Sequence, residues 1–261
     1  SKKIEVDECD IIKVKKKITT VRITDSEIAE IKQNFDDSYG IRLIHDKKIT
    51  SAITTNGENI EKTIDDAFGA LSNLKPREFW GGLPYKVNHK VLDGTFDEKL
   101  DQISGSKSMD IAQNMINSAA NEKINTITGS LNIVSENFEL LNSNGLNLDD
   151  KATYISGILN AESESGEIPV SGIGHASGRT LANFSSEQIG ADAKTMCIES
   201  INPQKVDSDS YSIIFEPYSV GELLAFVVAA NFNFKTFREK KSCFSNNFEK
   251  ERSEEHTSEL Q

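Results

Sequence analysis

The sequence predicts an α+β fold, in which antiparallel strands are grouped and helices lie between the groups. Three observations favour this class. Short β-branched segments with period-two alternation fill residues 11–56, apolar residues at helical spacing follow in residues 58–74, and an Asn-Gly turn at Asn144 and Gly145 joins two further β-rich segments. The chain has 261 residues, of which 37% are hydrophobic, and this is enough to bury a sizeable core.

The N-terminal third has the pattern of an antiparallel meander. Four short segments, at residues 11–24, 27–35, 39–46 and 48–56, are separated by the turn signals TDS, DDS and DKK. Residues 58–74 then carry apolar side chains at helical spacing, namely Ile60, Ile64, Ala67, Phe68 and Leu71. We expect this helix to pack one face on the sheet.

The middle of the chain predicts a connector, a helix and a long hairpin. Residues 75–90 hold two prolines, a glycine pair and the only tryptophan, and we expect an ordered connector there. A second helix is expected over residues 108–123. The NSNG turn predicts that residues 126–141 pair with residues 146–161, while the Ser/Gly-rich stretch 162–179 is expected to be a mobile loop.

Two helix-start signals mark the last part of the chain. Ser185 and Gln188 have capping-box spacing and predict a helix over residues 185–201. YSIIFEP (residues 211–217) has the pattern of a buried strand. Ser219 and Glu222 form a second capping box before GELLAFVVAA, an apolar helix that we expect to be buried against that strand.

Charge and cysteine usage exclude several classes of function. The formal net charge is −12, so a polyanion is repelled on average, and we expect no nucleic-acid partner. The only dense basic run, KVKKK at residues 13–17, favours the solvated face of a strand. Three widely spaced cysteines without a CxxC pair indicate a reducing, cytoplasmic compartment. No signal peptide and no apolar run of about 18 residues is present, so we expect no membrane span.

The sequence RSEEHTSELQ at residues 252–261 is set apart from the rest. It looks like the translation of a widely used sequencing adapter, and we interpret it as an artefact fused to a truncated gene fragment. Without it the chain has 28 basic and 38 acidic residues, a net charge of −10. We therefore assign no functional role to His256.

Residue chemistry alone indicates no active site. In GIGHASGR (residues 172–179) the glycines miss the dinucleotide-binding spacing by one residue, and His175 with Ser177 is a weak nucleophile–base pair. The other histidines, His45 and His89, have no His or Cys at metal-ligand spacing. The adjacent aspartates are expected to be solvated charges: Asp36 with Asp37, Asp65 with Asp66, and Asp149 with Asp150.

The order of the segments resembles the TldD/PmbA (TldD/TldE) family of metallopeptidases and their partner subunits. The resemblance covers essentially all of residues 9–244. It is carried by YGIRLIHDKKITSAITTN in the meander, by ELLNSNGLNLDDKATYISGILNAE in the hairpin, and by YSIIFEPYSVGELLAFVVAANFN at a strand–Pro–helix junction.

The resemblance implies a zinc motif that this chain lacks. TldD-like members carry HExxxH on the helix after that junction, where two histidines bind zinc and the glutamate activates water. The five-residue spacing requires that the helix be locally distorted. Here the three positions are Ala225, Phe226 and Ala230, all apolar. We therefore expect no catalytic residue, metal or cofactor in this chain, and zinc in a TldD-like partner.

The resemblance also implies a domain division and a function. We expect an N-terminal domain at 1–75, a connector at 76–107, a middle domain at 108–205 and the truncated start of a β-rich C-terminal domain at 206–251. The expected function is that of a PmbA/TldE-like subunit in a peptide-processing heterodimer with a TldD-like chain. Two alternatives stay open: a non-proteolytic protein that regulates gyrase or a toxin–antitoxin pair, and an active peptidase whose ligands lie beyond this fragment.

Overall fold

The computed structural model describes residues 5–85 and 92–246, and the chain folds as two units, residues 1–204 and 205–261. The first unit is built on one six-stranded antiparallel sheet in the order β3-β2-β1-β4-β5-β6. Its strands are β1 (Glu8–Thr24), β2 (Glu27–His45), β3 (Lys48–Thr54), β4 (Thr126–Asn142), β5 (Asn147–Ser163) and β6 (Val170–Gly178). Its helices are α1 (Ile60–Leu71), α2 (Glu98–Asp101), α3 (Gly105–Ala119) and α4 (Ser186–Glu199). The predicted α+β class is confirmed.

The meander has three strands where the sequence predicted four. Two-residue turns at Asp25–Ser26 and at Asp46–Lys47 have positive φ at both positions, which suits tight hairpins. The turn predicted at DDS is wrong. Asp36 and Asp37 stay in the ladder opposite Lys16 and Lys15, because strand-to-strand charge pairing offsets their low strand propensity.

The basic run at residues 13–17 lies on β1, in the middle of the sheet. Each lysine has a partner on an adjacent element instead of facing only water. Lys13 pairs with Glu139, Lys15 with Asp37 and Lys16 with Glu136, and Lys17 Nζ donates to the carbonyls of Asp101 and Ile103. The charges of the run are therefore paired or hydrogen-bonded within the first unit.

The β4–β5 hairpin forms where the NSNG turn predicts it. Asn142 Oδ1 accepts hydrogen bonds from the Asn144 and Leu146 amides, and Gly145 has a φ of +80°. The two strands then pair without interruption from Leu141↔Asn147 to Thr126↔Glu162. The prediction of a long hairpin is confirmed.

The loop predicted over residues 162–179 is wrong in its second half, because Val170–Gly178 forms the edge strand β6. Its glycines are needed for packing. A Cβ on Gly174 would lie 1.9 Å from the Ile189 carbonyl oxygen, and one on Gly172 would lie 2.2 Å from the Cys197 amide nitrogen. The strand therefore touches the backbone of α4, and its composition reflects that close approach.

All the helices that pack on the sheet do so on one face, which we call the covered face. One cluster joins β1, β4 and β5 to α3 and α4, with Leu131, Ile155, Leu159 and Met115 fully buried. A second cluster packs α1 on β1, β2 and β3 around Ile41 and Leu43. The opposite face, which carries the even-numbered residues of β1 and the odd-numbered residues of β6, is the open face.

One end of the open face is covered by the connector. Glu8 on β1 accepts hydrogen bonds from the Trp80 indole (2.8 Å) and from the Leu83 amide (2.8 Å). The Arg42 guanidinium lies over the Trp80 ring at 5.7 Å and bonds to Asp10. The ordered connector predicted for residues 75–90 is therefore confirmed over residues 75–85, while residues 86–90 lie outside the described residues.

The predicted helices of the first unit are confirmed with shifted ends. The helix predicted at 58–74 begins with a 3₁₀ turn at Gly57–Asn59 and continues as α1, and the one predicted at 108–123 is α3. The Ser185 hydroxyl accepts from the Gln188 amide at the start of α4, as the capping box predicted.

The second unit differs more from prediction. Residues 205–246 form helical turns and, within that range, no strand: α5 (Pro217–Glu222), a π-helical turn (Leu223–Val228), a 3₁₀ turn (Ala229–Phe232) and α6 (Phe234–Arg238). The strand predicted at 211–217 is wrong, since no neighbouring strand pairs its backbone. The helix starts at Pro217 without a side-chain cap, so the second capping box is also wrong.

The burial predicted for this helix and the segment before it is wrong as well. Ile214 is 98% exposed and Phe226 is 80% exposed. A helix can be apolar on every side and still lie on the surface, because burial requires a second element to pack against it.

No helix within residues 5–85 and 92–246 has the length and apolar character needed to cross a membrane.

Candidate functional site

The positions that the resemblance aligns with the zinc motif lie in a distorted segment of the second unit. Ala225 and Phe226 belong to the π-helical turn, and Ala230 belongs to the 3₁₀ turn that follows. The Ala229 amide donates to the Leu224 carbonyl, five residues earlier, which is the hydrogen bond that defines a π turn. The peptide backbone is thus irregular where the motif would be.

The side chains at these positions do not fit a zinc ion. Two methyl groups and a phenyl ring supply neither a ligand nor a base, and Phe226 is mostly exposed. Within residues 5–85 and 92–246, no three His, Cys, Asp or Glu side chains are grouped so that they could hold a metal. No hydrolytic step can be derived from this segment.

The histidines singled out from the sequence lie far apart in the fold. His45 ends β2, with its Nδ1 atom 3.5 Å from Asp7 and its ring against Phe68. His175 lies on β6 and shares the open face with Ser177. His89 and His256 lie outside the described residues.

The aspartate pairs stay apart from each other as well. Asp36 and Asp37 are exposed on β2, Asp65 and Asp66 are exposed on α1, and Asp149 with Asp150 lies on β5. Among the described residues, none of these pairs belongs to a group of three His, Cys, Asp or Glu side chains that could hold a metal.

The thiols of the first unit are poor nucleophiles. Burial raises the pKa of the Cys9 thiol, and Asp10 raises it further. Burial also raises the pKa of Cys197, with a smaller contribution from Glu162. A raised pKa lowers the thiolate fraction at neutral pH, so neither residue has the environment of a catalytic cysteine.

The open face holds a charged cavity that the sequence did not reveal. Its volume is about 550 Å³, and its lining includes Lys16, Glu136, Tyr154, Ser177 and Arg179. The Arg179 guanidinium lies over the Tyr154 ring, 5.9 Å from its centroid, and Lys16 Nζ lies 2.9 Å from Glu136 Oε2. Lys16 and Arg179 belong to segments far apart in the chain, and only the register of four strands brings them to one cavity.

The comparisons with known proteins identify the first part of the chain. Residues 9–71 match the PmbA/TldA metallopeptidase domain 1. This match supports a first domain of the TldD/PmbA family in residues 9–71. The matched residues are β1 to β3 with α1, so the TldD/PmbA domain supplies one half of the sheet and its second hydrophobic cluster.

Solved structures resemble the fold well beyond that domain. A proposed modulator of DNA gyrase from Bacteroides thetaiotaomicron has a TM-score of 0.78 at 19% identity over 92% of this chain. TldE from Thermococcus kodakarensis has a TM-score of 0.74 at 18% identity over 92% of it. A proposed modulator of DNA gyrase from Thermotoga maritima has a TM-score of 0.66 at 22% identity over 77% of it.

The chain is shorter than these structures. It spans 56%, 55% and 46% of their respective lengths. No curated protein matches the chain.

Proposed function

We propose that this chain is a catalytically silent, PmbA/TldE-like subunit of a TldD/TldE-type metallopeptidase. In this proposal it helps to shape a cleft for peptides, while a TldD-like partner provides the zinc ion and the hydrolytic groups. The observation that carries the proposal is the presence of Ala225, Phe226 and Ala230 at the motif positions. An apolar triad cannot bind a metal or activate water.

The π-helical turn supports this assignment of positions. In a regular α-helix, residues five apart point in directions that differ by about 140°, so two such histidines would not meet at one metal. A π turn changes the direction of the following residues. A π turn at Leu223–Val228 is a distortion of the kind that HExxxH needs, and this supports the proposed alignment of positions.

The likeness to TldE also supports a subunit role. The likeness to the TldE fold extends over 92% of this chain. Exposed apolar side chains cluster in the second unit, among them Leu223, Leu224 and Val227. Surfaces of this composition are characteristic of protein–protein contacts.

Co-expression with a TldD-like chain from the same genome tests the proposal. We expect the two chains to co-purify, zinc to be bound once per pair, and peptide hydrolysis to require both chains. Removing zinc with a chelator should abolish hydrolysis. Stoichiometric zinc in this chain alone, or hydrolysis by this chain alone, would contradict the proposal.

The alignment of positions has its own test. Ala225→His with Ala230→His restores the five-residue spacing, whereas Ala225→His with Ala229→His is a matched control with a spacing of four. Because the π turn suits the longer spacing, we expect the first variant to bind zinc several-fold more tightly in a titration. Tighter binding by the control would show that the segment behaves as an ordinary α-helix.

A non-proteolytic role is the second candidate. Two structures of similar fold are described as proposed modulators of DNA gyrase, and this favours a gyrase subunit as an alternative partner. The net charge of −12 argues against contact with the DNA itself. Capture of gyrase by the purified chain, with no effect on peptide hydrolysis by a TldD-like chain, would favour this role.

A further inference from the structure

The cavity on the open face lies where four strands bring distant residues together. Lys16 comes from β1, Glu136 from β4, Tyr154 from β5, and Ser177 from β6, and Arg179 directly follows β6. Within residues 5–85 and 92–204, the helices that pack on the sheet lie on its covered face, so none of them covers this cavity.

The backbone around Arg179 is fixed by buried hydrogen bonds. The Thr153 hydroxyl, which is fully buried, donates to the Arg179 carbonyl and accepts from the Asp97 amide. Asp97 Oδ2 in turn accepts from the Leu181 amide. The backbone at Arg179 is therefore held in place, so ligand binding needs no ordering of the backbone there.

The guanidinium of Arg179 has an aromatic contact and no ionic one. It stacks over Tyr154, and no carboxylate among residues 5–85 and 92–246 lies within ion-pairing distance of it. Glu136, the acidic group of the cavity, is already paired with Lys16. The planar donor fork of Arg179 is thus left for an external acceptor.

The charges of the cavity favour an anion in an otherwise acidic protein. Two cations and one carboxylate line it, so its local charge is positive while the whole chain carries −12. The hydroxyl groups of Tyr154 and Ser177 add neutral donors at the same place. An arginine fork with such neighbours matches the two oxygens of a carboxylate.

We propose that this cavity binds a carboxylate of a peptide, with Arg179 as the bidentate donor and Tyr154 as the platform that orients it. The carboxylate belongs either to an acidic side chain or to the peptide C-terminus. The inference rests on the proposed function for the choice of a peptide as ligand. In this inference the subunit recognises acidic groups on the substrate.

Binding to this chain alone tests the inference, because hydrolysis is not needed for the readout. Calorimetry would compare one short peptide in three forms: with a single glutamate and a free C-terminus, with an amidated C-terminus, and with glutamine in place of glutamate. We expect one of the two changes to weaken binding by about tenfold, and that change identifies the source of the carboxylate.

Arg179→Gln should reduce the affinity for the acidic peptide by about tenfold, since an ion-paired fork is lost. Arg22→Gln is the matched control, because Arg22 is also an exposed arginine on the open face, on β1 and outside the cavity. We expect the affinity of the Arg22→Gln variant for the acidic peptide to stay within about twofold of that of the unchanged chain. Circular dichroism would verify that both variants fold.

Several results would overturn the inference. The first is equal binding of the acidic and the fully neutral peptide, or no binding of any form. The second is an equal effect of the two arginine substitutions on the affinity. The third is displacement of the peptide by an equal concentration of inorganic phosphate. If binding is lost in this way while the two-chain complex still hydrolyses peptides, only the inference fails. Specific binding without hydrolysis in the complex would instead count against the proposed function.

Discussion

The two faces of the sheet are built from the same strands and serve different ends. On the covered face, residues such as Leu159 and Ile155 are fully buried against α3 and α4. On the open face, Ile158 and Tyr154, their immediate neighbours in β5, keep part of their surface in contact with solvent. Side chains alternate between the two faces along a strand, so a residue that stabilises the core is followed by one that is available for binding.

The difference shows how a sheet can present a binding surface without weakening its core. Charged residues on the open face lie opposite one another across strands, whereas the helix contacts of the covered face rely on apolar side chains and glycines. Substitutions on one face should therefore change the stability, and substitutions on the other should change the binding.

Leu159→Ala is expected to give the largest loss of stability. Leu159 is fully buried in the larger cluster, and its truncation should lower the free energy of unfolding by about 3 kcal/mol. Ile158→Ala on the open face is the matched control, with an expected loss of about 1 kcal/mol. Urea unfolding measures both, and equal losses would contradict the assignment of the two faces.

Gly174→Ala should have a somewhat smaller effect. Its added methyl would lie 1.9 Å from the Ile189 carbonyl oxygen, so α4 must move away from β6 at a cost of about 2 kcal/mol. Ser171→Ala, on the same strand and on the open face, should change stability by less than about 0.5 kcal/mol. An unchanged unfolding midpoint for Gly174→Ala would mean that the strand and helix are not in backbone contact.

The smallest effect is expected where the connector covers the open face. The Leu83 amide and the Trp80 indole lower the pKa of Glu8, with a further contribution from Asn144. Because the folded pKa lies below the usual value of 4.5, this stabilisation is present above that value and is lost as the pH falls through the lowered pKa.

Trp80 is the only tryptophan, so its fluorescence reports this contact directly. We expect an acid transition with a midpoint below pH 4.5 that disappears in Glu8→Gln. The substitution should also lower stability at neutral pH by less than the two changes above, because Glu8 is only half-buried. Glu27→Gln, at an exposed position, should keep the transition, and a transition that persists in Glu8→Gln would refute the contact.

Local chemistry explains which elements of the fold could be predicted. The Asn-Gly turn specifies its backbone angles within four residues, and the Ser185 cap specifies a helix start within three. Both predictions are confirmed, because each depends on atoms that are close in the sequence.

The elements that were missed depend on distant partners. Strand β6 has the composition of a loop, and only its contact with α4 explains Gly172 and Gly174. YSIIFEP has the composition of a strand, yet forms none, because a strand needs a paired neighbour. The charged cavity was missed for the same reason, since Lys16 and Arg179 meet only through strand register.

The central position of β1 in the sheet affects the nascent chain during its synthesis on the ribosome. β1 is central in the sheet, but its partner β4 lies much later in the sequence: Ile23 pairs with Gly129, 106 residues further on. At about 5–20 residues per second, one edge of β1 stays unpaired for roughly 5–20 s of synthesis. Lysines at 13, 15, 16 and 17 lie along this edge, and charged side chains of that kind discourage a nascent strand from pairing with another chain.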